Sequence, residues 1–109
     1  MRLSSVVNET ALNRDLDAVA AIPAEQISRR ERERLLVRKA ISHLPQNMRL
    51  IVFLKFWEGE MLEEIAASLG LSLDRARSEY VTALSYLEKV LKPYVLEPSF
   101  FTKADAEVT

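Results

Sequence analysis

Two apolar stripes at helical spacing, separated by Gly70-Leu71-Ser72, constrain this chain more than any other feature. Leu62, Ile65, Ala66 and Leu69 recur at i, i+3, i+4 and i+7, one face of an α-helix. Leu73, Ala76, Tyr80, Ala83, Leu84, Leu87, Val90 and Leu91 resume the pattern beyond the break. Gly70 stands where a helix ends in the left-handed conformation, which a Cβ disfavours. Ser72 stands where a side-chain oxygen caps the next helix. The spacing predicts helices over about 61–69 and 73–92 meeting at a tight corner, with Ala66 and Ala76 small enough for close crossing and Leu71 filling the gap. Such a corner is a helix-turn-helix, although plain αα corners of helical bundles share the pattern. Met61, at the cap position of the first helix, has no side-chain oxygen to offer.

The chain before this corner is also helical in pattern. Ser28-Arg29-Arg30-Glu31 is a capping box, and Leu36, Val37, Ala40, Ile41 and Leu44 form one stripe, predicting a helix over 29–44. Pro45 then opens the next element. Residues 46–57 are apolar nearly all round. Leu50 to Leu54 could form a buried strand, but no second strand exists to pair with it, so a helix is predicted and should be the most buried element. Phe53, Phe56 and Trp57 are expected in the core, and Glu58-Gly59 is the following turn. Residues 1–27 read as a leader in which Leu12, Leu16 and Val19 predict a short helix over about 10–20, ended by Ile22-Pro23. Residues 93–109 form a tail beginning at Pro93. Tyr94, Val95, Leu96, Phe100 and Phe101 make it apolar enough to pack in part on the helices. The expected fold is all-α: a compact four-helix domain over 28–92 containing the helix-turn-helix.

Composition narrows the chemistry. The 109 residues include no cysteine, one histidine and two glycines. A disulfide framework, thiolate metal sites, a cysteine nucleophile and a glycine-rich phosphate loop are thereby excluded. His43 falls at the end of a predicted helix, where the helix dipole favours an imidazolium. No catalytic constellation, metal or cofactor is expected, and the chain does not read as an enzyme. There is neither a signal-peptide apolar run nor an uncharged stretch long enough to span a bilayer, so a cytoplasmic protein without membrane contact is expected.

Charge is laid out unevenly. The net charge is −1, yet residues 29–55 hold eight basic side chains (Arg29, Arg30, Arg32, Arg34, Arg38, Lys39, Arg49, Lys55) against two acids, Glu31 and Glu33. Both flanks are acidic, which makes the layout polar instead of neutral.

These pieces come in a recognisable order. Leu44-Pro45, Arg49, Ile51-Val52, Glu58-Gly59, Glu63-Glu64-Ile65-Ala66, Leu69-Gly70-Leu71-Ser72, Arg77-Ser78, Ala83 and Leu87 together resemble region 4 of the sigma-70 family over about residues 30–92. The resemblance implies a domain that reads the promoter −35 element in the major groove and docks on the β flap of RNA polymerase. It places DNA contacts at Asp74, Arg75, Arg77 and Ser78 on the front of the last helix, with Arg49 and Lys55 as phosphate contacts. This sequence departs from the family in two respects. Met61 replaces the usual Ser or Thr cap, and the back half of the last helix carries Glu79, Val81, Thr82, Ser85 and Tyr86 instead of a run of basic residues. Val81, Thr82 and Tyr86, expected to be exposed, suit a protein partner. No region 2 is seen before the domain, so a separate region 2 sigma subunit is an expected partner. The alternative is an interaction module of sigma fold that binds an anti-sigma factor or polymerase without reading DNA.

Overall fold

The computed structural model describes residues 3–94. A short 3-10 turn, Leu3–Ser5, precedes five α-helices: α1 (Glu9–Ala20), α2 (Arg29–Ser42), α3 (Gln46–Phe56), α4 (Leu62–Leu69) and α5 (Leu73–Leu91). The described residues contain no strand, so the ambiguous run 50–54 is helical. The all-α fold with its helix-turn-helix is as the apolar spacing dictates. Expected packing of the tail falls, beyond Tyr94, outside the described residues.

Local chemistry sets the helix starts. Asn8 Oδ1 accepts the Ala11 N–H at 3.1 Å, and Ser28 Oγ accepts the Glu31 N–H at 3.1 Å. Met61 heads α4 with extended backbone (φ −79°, ψ 148°) and no side-chain cap bond. Its side chain is 58% exposed, so a shorter polar residue there meets no packing penalty. Met61→Ser is therefore expected to raise stability by about 1 kcal/mol. Urea denaturation measures this, and an unchanged midpoint would mean that water already satisfies the α4 amides equally well.

One core joins all five helices. Leu36, Val37, Ala40 and Ile41 from α2, Met48, Ile51 and Val52 from α3, Ile65 from α4, and Tyr80, Leu84, Leu87 and Leu91 from α5 are buried in it. Leu12, Leu16 and Val19 of α1 belong to the same cluster, as do Leu3 and Val7. The segment read as a leader thus supplies core residues. It is also tied by polar bonds. Arg32 on α2 donates from Nη1 to the carbonyls of Val19 (2.8 Å) and Ala20 (3.0 Å), and from Nη2 to that of Ile22. No basic residue stands in the last turn of α1, so Arg32 supplies from outside the positive charge that a helix C-terminus favours.

Helix α3 differs from expectation. Only Met48, Ile51 and Val52 are buried along it, while Leu50, Phe53, Leu54, Phe56 and Trp57 are half-buried. Helices α2, α4 and α5 pack on α3, but α1 packs chiefly on α2. The remaining side of α3, with Leu50, Phe53 and Trp57, is left half-buried, and α5 supplies more buried residues than any other helix.

Candidate nucleic-acid interface

The corner between α4 and α5 is built from backbone upward. At the end of α4 the Leu71 N–H reaches the Ala66 carbonyl (2.9 Å) and the Gly70 N–H the Ala67 carbonyl (3.3 Å), the paired bonds of a Schellman ending. Gly70 takes φ 69°, ψ 30°, the left-handed conformation that its missing Cβ permits. Ser72 Oγ then accepts the Arg75 N–H at 3.1 Å and starts α5. Ala66 and Ala76 are buried where the two helices cross, and Leu71 is half-buried against the core.

This turn fixes what α5 presents. Burial of Ala76, Tyr80, Ala83, Leu84 and Leu87 turns Asp74, Arg75, Arg77 and Ser78 outward at the front of the helix, all exposed. Both arginines have acidic neighbours on the same helix. Arg75 Nε lies 3.6 Å from Glu79 Oε2, and Arg77 Nη1 lies 3.9 Å from Asp74 Oδ1. The Arg77–Asp74 pair is exposed and weak, so a phosphate or base edge can displace Asp74 at small cost, whereas Glu79 is largely covered beside Arg75. Val81, 43% exposed, and Thr82 follow about a turn further along.

Tyr86 is a correction. It was expected to be exposed as a partner contact, yet it is only 8% exposed, and its hydroxyl donates to Glu9 Oε1 at 2.9 Å. The cause is α1, whose start lies over the back half of α5. Burial, reinforced by the Glu9 carboxylate, pushes the Tyr86 phenol up to about 12. A raised value favours the neutral phenol in the fold. Its stabilisation is complete below the ordinary tyrosine value of 10.0 and is lost as pH rises through about 12. An alkaline titration followed by phenolate absorbance should therefore show a late-ionising tyrosine that Tyr86→Phe removes. A titration complete near pH 10 in the wild type would contradict the buried hydrogen bond.

The remaining expected contacts lie elsewhere. Exposed Arg49 groups with Arg38, Ile41, Leu50, Phe53 and Trp57 along a trough between α2 and α3. The trough continues past Trp57 to Leu35, Arg34 and Glu31. Phe53 and Trp57 stack along it, with ring centroids 5.9 Å apart and planes within 4°. Lys55 is half-buried on α3. The structure thus separates the α5 front from an arginine-rimmed apolar trough, and Phe53 and Trp57, expected in the core, line it half-buried.

Polar ties around α1 also escaped the sequence. His43 Nε2 lies 2.7 Å from Asp15 Oδ2, and that bond holds the Asp15 carboxyl below its usual value. Tyr94 donates to Asp17 Oδ1 at 2.6 Å, which raises the Tyr94 phenol. The one sequence signal for these ties is that Asp15 flanks the stripe of Leu12, Leu16 and Val19. Among the described residues no three His, Asp or Glu side chains gather into a metal-binding group, and no helix is long and apolar enough to cross a membrane.

A Schellman-ended helix, a tight turn and a serine-capped second helix with an outward Arg-x-Arg define a helix-turn-helix protein. Residues 40–89 match the family model for sigma-70, region 4, so this segment is similar to a domain family of transcription. The match starts near the end of α2, so α1 and most of the basic α2 precede it. No curated protein and no solved structure matches the chain.

Proposed function

We propose that the protein is a sigma region 4-like transcription factor that acts with RNA polymerase on a −35-type promoter element. The observation that carries this reading is the exposed front of α5, held by the Gly70–Ser72 turn within the segment that matches sigma-70, region 4. A helix that enters the major groove N-terminus first presents that end to base edges. Arg75 and Arg77 then bond guanine O6 and N7, while Asp74 and Ser78 contact neighbouring bases. We assign the α2–α3 trough to the polymerase β flap. Arg49, first expected on phosphate, belongs to that surface because it stands on the trough's rim. The test is transcription in vitro by polymerase with the protein added, on templates with and without the −35 element. Activation that ignores the element would refute the promoter reading.

A second reading has its own support. Asp74 and Glu79 neutralise the two arginines, and Val81 and Thr82 lie exposed just behind them. Such a face suits a protein partner, such as an anti-sigma factor. In that case Val81→Ala and Thr82→Ala weaken the complex, and Arg77→Ala does not.

A further inference from the structure

One stripe of α2 carries charges of both signs that do not meet within the chain. Glu31, Arg34, Leu35 and Arg38 stand at i, i+3, i+4 and i+7, so they share one face, and they line the trough beside Trp57. Glu31, Arg34 and Arg38 are exposed, and none makes an ion pair with a described residue. Arg29 and Glu33, on another face of the same helix, do pair, at 3.4 Å. Leu35 and Trp57 are half-buried, and an open apolar surface of this kind is costly in water and attracts a cover. The four α2 positions all precede residue 40, where the match to sigma-70, region 4 begins, so the stripe lies outside the matched segment.

The order of the stripe specifies the cover. Glu31 and Arg38 are two helical turns apart, about 10 Å along the axis, with Arg34 and Leu35 midway. A second copy, turned about a two-fold axis that passes between Arg34 and Leu35, runs its α2 antiparallel to the first. Glu31 of each copy then faces Arg38 of the other, so one contact forms the same ion pair twice. Leu35 meets Leu35 beside the axis, and Arg34 reaches the Trp57 ring of the other copy, a cation over an aromatic face. A purely acidic partner would match the arginines but would set a carboxylate against Glu31, whereas a second copy opposes Glu31 with a cation.

We propose that the protein self-associates into an antiparallel two-fold dimer through this α2 stripe, with reciprocal Glu31–Arg38 pairs around Leu35 and Trp57. The contact centres on a single helix stripe, smaller than a permanent interface, so the dimer forms and dissolves with concentration. It covers the trough assigned above to polymerase, and its regulatory meaning rests on that reading: only the monomer can dock. The self-association itself is tested without polymerase or DNA, so its failure leaves the promoter reading intact.

Sedimentation equilibrium of the full chain, from low micromolar to near-millimolar concentration, should show a monomer passing into a dimer. Trp57 is the only tryptophan, and its emission should shift to the blue over the same range. Glu31→Arg sets arginine against arginine on both sides of the axis, and Arg38→Glu sets glutamate against glutamate. Each single variant should weaken association by roughly tenfold or more. An equimolar mixture of the two should restore the dimer, as should the exchanged chain Glu31→Arg/Arg38→Glu, because opposite charges face each other again in both. A variant that had merely lost its fold would not be rescued by the other. A wild-type chain that stays monomeric throughout overturns the proposal, and so does a dimer that forms with Trp57 emission unchanged. Single variants that associate like wild type overturn it as well, as does a mixture that fails to restore the dimer.

Discussion

Leu16→Ala is expected to lower stability by about 2–5 kcal/mol, as much as Leu84→Ala in the centre of α5. Leu16 is fully buried and Leu84 is 3% exposed, both in one continuous cluster. A domain of this size has only about 5–15 kcal/mol in total, so either change should shift a urea transition strongly. Trp57 is the probe that decides the point. It sits at the end of α3, which packs on α2, α4 and α5, whereas α1 packs chiefly on α2. If α1 is part of one cooperative unit, Leu16→Ala moves the Trp57 transition together with the far-ultraviolet circular dichroism. An unmoved Trp57 midpoint, beside a lowered one for Leu84→Ala, would show that α1 melts separately.

The second large effect concerns DNA. Losing one bidentate arginine costs roughly 1–3 kcal/mol of discrimination. Arg75→Ala/Arg77→Ala should therefore reduce −35-dependent transcription by on the order of 100-fold or more. Both arginine side chains are exposed, so the double variant should keep the fold, with a modest loss of stability where the largely covered Glu79 loses its cation. Val81→Ala and Thr82→Ala, further along α5, should leave promoter output near wild type. Tyr86→Ala is unsuitable as a surface probe, because it empties a buried site and removes the bond to Glu9. Full promoter activity in the double arginine variant would end the DNA-reading assignment while leaving the fold untouched.

What could be read from the chain follows the range of the interactions. Ser28, Gly70 and Ser72 act on backbone within a few residues of themselves, so helix starts and the α4–α5 corner were visible in spacing alone. The exposure of Arg75 and Arg77 follows from the same stripe that buries Ala76 and Tyr80. Tyr86 was misplaced because its cover comes from Glu9, at the other end of the chain, and no local pattern carries that information. The trough escaped for a related reason. A helix apolar on all sides, such as α3, does not reveal which side its neighbours leave open. Arg32 is one of eight bases in the stretch 29–55, and nothing in that stretch announces the three carbonyls that the end of α1 and Ile22 bring to it.

That last contact implies an order of events on the ribosome. Helix α1 is 12 residues long, with no cation of its own in its last turn. A helix of that length is marginal in water without tertiary support. The support comes from Arg32 and from the stripe of α2, both synthesised later. Helix α1 must therefore wait, largely unstructured, until α2 clears the exit tunnel, and the two helices then form together as a hairpin of low sequence separation, the kind of contact that closes quickly.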